Sequence, residues 1–201
     1  DRNINALYSD GAVYITNEQD DNQDIIDDII HEISHSLEQR YKDLIYSDGS
    51  MMKEFLGKRK KLYYLLKAEQ LQPPVELQTN IKFDQKIDDY LYKDVGYTTI
   101  WNLINGLFIS PYSVTDLREY FALGFEYYVQ GEGHTIKSIC PVLYARLRAL
   151  FEMNIQPFVA QFTVFVKTQS LEKLNKMSMK NTFKKLSEEN SIKLKLKNQN
   201  L

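Results

Sequence analysis

The chain begins with two short β-prone runs and then changes to a helical pattern of apolar residues. The runs at 5–8 and 12–16 flank Ser9-Asp10-Gly11, and Asp-Gly between two such runs predicts a hairpin. From about Asp24, apolar residues recur at steps of three and four, which is typical of an amphipathic helix ending near Asp48. The recurring positions are Ile26, Ile29, Ile30, Ile33, Leu37, Tyr41 and Leu44.

The rest of the chain up to residue 153 is predicted to be mostly helical. Ser113-x-x-Asp116 has the form of a capping box, which places the start of one helix at Ser113. Gly124 in that helix is expected to let it approach the long helix that begins near Asp24. Residues 157–166 fit either a strand or a buried helical segment. The predicted helical segments are Met51–Gln70, short helices within 75–110, Ser113–Gly131 and Pro141–Met153.

Composition excludes several classes of protein. Of the 201 residues 43% are hydrophobic, which is enough for a core, and the net charge of −2 excludes a strongly basic nucleic-acid binder. The single cysteine, Cys140, excludes an internal disulfide and is expected to be a small buried residue. Since no apolar run approaches the roughly 18 residues of a membrane-spanning helix, we predict no transmembrane segment.

Charge is distributed unevenly along the chain. Residues 1–38 contain ten acids and one base, whereas residues 167–201 contain nine lysines and three glutamates. A basic run, Lys58-Arg59-Lys60-Lys61, lies between them. Solvated helix faces and a lysine-rich tail are the favoured interpretation, and a surface for an acidic partner or membrane is the alternative.

The predicted long helix contains the motif His31-Glu32-Ile33-Ser34-His35. Residues four apart lie on one helical face, so both imidazoles can reach a single metal ion, and Glu32 lies beside it. Two imidazoles and a carboxylate suit zinc, and Glu32 is placed to accept a proton from a zinc-bound water. Two histidines on a helix surface without a metal are the alternative.

A catalytic zinc normally has three protein ligands, so a third must come from elsewhere. An extended form of the motif has a glycine and a third histidine where this chain has Glu38 and Tyr41. Glu119, a carboxylate set among apolar residues, is the preferred third ligand. Glu126, two turns further along the same face, and His134, expected in a surface loop, are the alternatives.

The segment Tyr112-x-x-Thr115-x-x-x-Glu119-Tyr-Phe-Ala-x-x-Phe125 resembles the third-ligand helix of the anthrax lethal factor-like zinc peptidases. That family includes the clostridial Pro-Pro endopeptidases. Its members also have a strand similar to Gly11–Thr16 shortly before the zinc motif. The resemblance covers about residues 5–45 and 108–153. It departs from the family at Leu123, where a second glutamate is frequent, and in the 83 residues between His35 and Glu119.

The resemblance implies a role for each matching residue. It implies that the zinc ligands are His31, His35 and Glu119, that Glu32 is the general base, and that Tyr112 supports the oxyanion. It also implies that the strand at Val13, Tyr14 and Ile15 is the edge that pairs with an extended peptide substrate. Proline preference belongs to one branch of the family, and no residue here indicates it.

These observations predict an α+β, zincin-like fold, mostly helical, with a small sheet edge and an active-site helix carrying the His-Glu-x-x-His motif. Residues 1–153 are expected to form the metallopeptidase domain, with a helical insertion at about 50–105. Residues 154–201 are expected to form a helical, lysine-rich extension. The chain starts with Asp-Arg-Asn-Ile and not with Met, and it shows no signal peptide, so we expect it to be part of a longer polypeptide. The resemblance implies secretion or delivery to a target cell.

The predicted function is zinc-dependent peptide-bond hydrolysis. A catalytically silent zincin-like interaction domain of a larger toxin-like or virion protein is one alternative, although docking gives no reason to retain Glu32. A metal-stabilised structural domain is another, although closed structural zinc sites need four protein ligands.

Overall fold

The computed structural model describes residues 5–9, 12–16 and 22–153, together with the backbone of 163–167. Within this part of the chain the architecture is α+β and mostly helical, with one small sheet. The strands are β1 (Ala6–Ser9), β2 (Ala12–Thr16) and β3 (Thr163–Lys167). The helices are α1 (Asn22–Arg40), α2 (Lys42–Tyr46), α3 (Ser50–Ala68), α4 (Gln85–Asp89), α5 (Tyr97–Leu103), α6 (Leu117–Val129), α7 (Gly133–Ile139) and α8 (Pro141–Glu152). Shorter helical turns span Val75–Gln78, Tyr90–Val95 and Tyr112–Val114.

The sheet has the order β1-β2-β3, with β1 antiparallel and β3 parallel to β2. Val13 and Ile15 are buried, whereas Tyr14 between them is 43% exposed, which is the alternation of a half-buried strand. The prediction that β2 provides an open edge at Val13, Tyr14 and Ile15 is wrong. Its backbone already pairs on both sides, so no further strand can be added to it.

The long helix predicted from the isoleucine spacing is present but has one break. Tyr41 departs from helical geometry, with φ −109° and ψ 24°, and separates α1 from α2. The hydrogen bonds from Tyr41 N to the Leu37 carbonyl (2.8 Å) and from Ile45 N to the Tyr41 carbonyl (3.1 Å) continue across the break. The apolar face of α1 is buried as predicted, at Ile29, Ile30, Ile33 and Leu37.

Helix α6 begins at Leu117, four residues later than the capping-box pattern predicts. Ser113 does not cap the helix because its hydroxyl is directed back to Ser110, donating to the Ser110 carbonyl (2.5 Å) and accepting from Ser110 N (3.3 Å). Asp116 caps the helix instead, with Oδ1 accepting hydrogen bonds from the backbone N–H groups of Arg118 (2.8 Å) and Glu119 (2.9 Å). Glu119 is therefore the third residue of α6.

Residues 50–105 share the core of the rest of the domain. Phe55, Leu62 and Leu66 of α3 are fully buried in the same apolar cluster as Ile33 and Phe121. The apolar side chains of this segment are therefore part of one continuous core.

Half of the basic run in α3 lies inside the protein, so the solvated-face interpretation holds only for Lys60 and Lys61. Lys58 Nζ donates to the carbonyls of Leu107 (2.8 Å) and Ile139 (2.6 Å). Arg59 is fully buried and donates to the carbonyls of Asn80 and Thr115. Both side chains donate to backbone carbonyls that the folded chain brings beside α3.

Three further predictions can be compared with the structure. Cys140 is fully buried, as predicted. The described part of the predicted helical extension, β3, is a strand because it pairs with β2, and the lysines beyond residue 167 lie outside the described residues. None of the described helices combines the length and apolarity needed to cross a membrane.

Gly124 is needed for a close approach, but to α8 and not to α1 as predicted. A Cβ at this position would lie 2.9 Å from Cγ of Leu143, a fully buried residue. We expect Gly124→Ala to destabilise the protein, because overpacking typically costs about 1–3 kcal/mol and the gain in helix propensity returns only about 1 kcal/mol.

The measurement is the free energy of unfolding in urea. Gly57→Ala in α3 is the matched control, since nothing lies within 4 Å of the added Cβ there. Equal stabilisation of both variants would show that α6 and α8 can separate at no cost.

Candidate metal centre

Helices α1 and α6 bring three metal-binding side chains together. Glu119 divides its carboxylate between the two histidines of α1: Oε2 lies 3.0 Å from Nε2 of His31 and Oε1 lies 3.4 Å from Nε2 of His35. The two imidazole rings are nearly perpendicular, with an interplanar angle of 82°. Among the described residues, these three form the one cluster that could hold a metal ion.

The separations between these atoms fit a small tetrahedral ion. Zinc binds nitrogen and oxygen ligands at about 2.0–2.1 Å in tetrahedral geometry, which places neighbouring ligand atoms roughly 3.3 Å apart. The two separations from Glu119 are 3.0 and 3.4 Å. These two distances run to different oxygens of Glu119, and one ligand atom from each of the three residues lies within 4.8 Å of the other two. His31, His35 and Glu119 therefore have the chemistry and the approximate spacing of three metal ligands.

The pKa values of these three side chains depend on the contacts between them. Burial lowers the pKa of both imidazoles, but the neighbouring carboxylates outweigh it, raising the pKa of His31 to about 10 and that of His35 to about 9. Burial raises the pKa of Glu119, but its contacts with both histidines outweigh this effect and lower it to about 2. Without a metal, two imidazolium protons supply the positive charge that a divalent ion would supply.

The outer nitrogen of each imidazole faces another acid. Glu126 Oε2 lies 3.4 Å from Nδ1 of His31, and Glu38 Oε2 lies 3.6 Å from Nδ1 of His35. Glu126, the alternative third ligand, is therefore on the opposite side of the His31 ring from Glu119. His134, the other alternative, is exposed, in α7 and not in a loop.

The predicted base, Glu32, lies in α1, and the predicted oxyanion donor, Tyr112, lies in the turn before α6. Glu32 lies on the side of α1 that faces the sheet, where its Oε2 accepts a hydrogen bond from Tyr8 N in β1 (2.6 Å). Tyr112 is half-buried in the turn that precedes α6, as expected from its position before Glu119. Its carbonyl accepts hydrogen bonds from Thr115 N (3.0 Å) and Thr115 Oγ1 (2.8 Å).

Glu38 is the site residue that the sequence prediction missed. In the sequence, Glu38 stands where the extended metal motif has its glycine. Its spacing of three from His35 places both side chains on one helical face, which is the signal that could have identified it.

No family model, curated protein or solved structure matches the chain.

The raised imidazole pKa values predict how the stability of the metal-free protein depends on pH. An imidazole whose pKa is raised on folding stabilises the folded state below its ordinary value of about 6.5, and this contribution is lost as pH rises through the folded pKa. The lowered pKa of Glu119 stabilises the protein above its ordinary value of about 4.5, and this contribution is lost as pH falls towards 2. With a chelator present, we expect the urea midpoint to fall between about pH 6.5 and about pH 9.

Glu119→Gln is the control for this experiment, because it removes the carboxylate that both imidazoles contact. The variant should show a weaker dependence on pH over the same range. A wild-type midpoint that stays level or rises over this range would contradict the assigned charges.

Proposed function

We propose that the protein is a zinc-dependent endopeptidase of zincin-like architecture, carried by residues 1–153. The observation that supports it best is the pair of separations, 3.0 and 3.4 Å, between Glu119 and the two Nε2 atoms of His31 and His35. Three ligands that leave a fourth position for water are the arrangement of catalytic zinc. The resemblance of the Tyr112–Phe125 segment to lethal factor-like peptidases supports the same reaction.

Zinc in this position would polarise the scissile carbonyl and lower the pKa of the attacking water towards about 7. Glu32 is next to His31 in the chain, and its role is to take the proton of that water and later deliver it to the leaving amine. Tyr112 is proposed to donate a hydrogen bond to the negative charge that develops on the carbonyl oxygen. The turn that holds Tyr112 leads directly into the helix of Glu119.

A peptide substrate is proposed to bind as an extended strand beside β1. Thr16 N donates to the Asn5 carbonyl (2.8 Å), so the alternating pattern of an antiparallel pair directs the backbone groups of Ala6 and Tyr8 away from β2. No other described strand pairs with that outer edge. Tyr8 N on this edge already donates to Glu32 Oε2 (2.6 Å), so a peptide added here would take that donor from the proposed base and would lie beside it.

Zinc content tests the ligand assignment without reference to activity. We expect close to one zinc per wild-type chain and a large loss of zinc from Glu119→Ala, because two histidines alone are an incomplete site. His134→Ala is the matched control and should retain its zinc, since His134 is exposed outside the cluster. Elemental analysis after dialysis measures both, and a zinc-free wild type after zinc has been offered would refute the proposal.

Glu32→Gln separates zinc binding from chemistry. The amide has nearly the same shape but cannot take the proton of the attacking water, so zinc content should stay at the wild-type level. Cleavage of a peptide library should fall by about 10²–10⁴-fold. Full cleavage by this variant would show that another group is the base. A wild type that binds zinc but cleaves no peptide would instead favour the catalytically silent interaction domain.

A further inference from the structure

Both histidines of the cluster have the same arrangement of neighbours. Each directs Nε2 towards Glu119 and Nδ1 towards a different carboxylate, Glu126 for His31 and Glu38 for His35. The two outer acids come from different helices, α6 and α1. The cluster therefore has an inner acid that both rings share and an outer acid for each ring.

The side chains of the two outer acids are largely shielded from solvent. The side chain of Glu126 is 15% exposed and that of Glu38 is 10% exposed. A buried carboxylate is costly unless it is paired, so each needs a donor at close range. The outer N–H of an imidazole is such a donor when the inner nitrogen carries no proton.

Glu38 is held in place by two further side chains. Tyr46 Oη donates to Oε1 (3.0 Å) and Arg118 Nε donates to Oε2 (2.9 Å). Arg118 directly precedes Glu119, so one turn of α6 supplies both the inner acid and a hydrogen-bond donor to the outer acid Glu38. Nδ1 of His35 is buried without a hydrogen-bond partner. A small movement of the ring that forms a hydrogen bond from Nδ1–H to Glu38 is therefore favourable.

We propose that Glu38 and Glu126 are positioning residues for the metal. Each accepts the Nδ1–H of one histidine, which fixes that ring with its Nε2 lone pair directed towards the metal position beside Glu119. Carboxylates in this position orient the imidazole and make it a stronger ligand. Glu126 thereby supplies, seven residues after Glu119, a second acid on α6.

The charges of the assembly are consistent with this role. Three carboxylates, Glu38, Glu119 and Glu126, face the two imidazoles, and Arg118 neutralises one of them. A divalent cation bound to two neutral imidazoles balances the other two. The inference rests on the metal site of the proposed function but not on its catalysis.

The test uses the full chain and Zn²⁺ in competition with a chromophoric chelator. Glu38→Gln and Glu126→Gln should each weaken zinc binding about 10–100-fold, the usual effect of losing such a partner. Glu132→Gln is the matched control, because Glu132 is exposed and contacts Thr135 outside the cluster. The urea midpoint of each metal-free variant shows whether the fold is retained.

Histidine ¹⁵N–¹H spectra of the zinc-loaded protein provide a second readout, which a purely structural role would not affect selectively. Glu126→Gln should shift the Nδ1–H signal of His31 and leave that of His35, and Glu38→Gln should do the reverse. Glu132→Gln should shift neither signal.

Zinc affinity and Nδ1–H signals that remain unchanged in both variants would overturn the inference. A much larger loss in Glu126→Gln, equal to that of Glu119→Ala, would make Glu126 a ligand and also overturn it. If the wild type binds zinc but cleaves no peptide, the proposed activity fails while the positioning role still stands. If the wild type binds no zinc, both fail.

Discussion

The contact of one carboxylate with two imidazoles across the α1–α6 interface is the constraint on which the site depends. Glu119 can reach both Nε2 atoms only if the start of α6 lies beside the two turns of α1 that carry His31 and His35. Burying these groups costs free energy that must be balanced by mutual pairing or by a metal. The packing of α1 against α6 therefore determines whether the cluster can form.

Several polar contacts fix the start of α6, and most of them come from outside the cluster. Asp116 caps the helix, and Leu117 N donates to the Ile81 carbonyl (3.0 Å). The buried guanidinium of Arg59 bridges the Asn80 and Thr115 carbonyls. Segment 50–105 thus helps to determine where Glu119 stands, which gives a structural reason for its presence in the domain.

Local patterns predicted the elements well, and long-range pairings less well. The spacing of His31 and His35 fixed their common face, because helical geometry is local. Glu119 is separated from His35 by 83 residues, so helical spacing does not identify it. Its apolar neighbours in the sequence favour it over Glu126, and the family resemblance supports the same choice. The open edge was assigned to β2 because nothing near Val13–Ile15 indicates that residues 163–167 pair there.

Buried polar residues were the other source of error. Lys58 and Arg59 resemble a surface run in sequence, yet they satisfy carbonyls that only the folded chain brings to them. Ser113 fits a capping box, but Ser110 provides an acceptor three residues earlier. In each case the partner of the side chain is decided by tertiary packing, which a propensity or motif does not contain.

Anomalous diffraction at the zinc absorption edge, from crystals of the zinc-loaded protein, tests the central claim most directly. The account predicts one peak within about 2.0–2.1 Å of Nε2 of His31, Nε2 of His35 and a carboxylate oxygen of Glu119, with the fourth position open to solvent. A peak on His134, or a site closed by a fourth protein ligand, would contradict it.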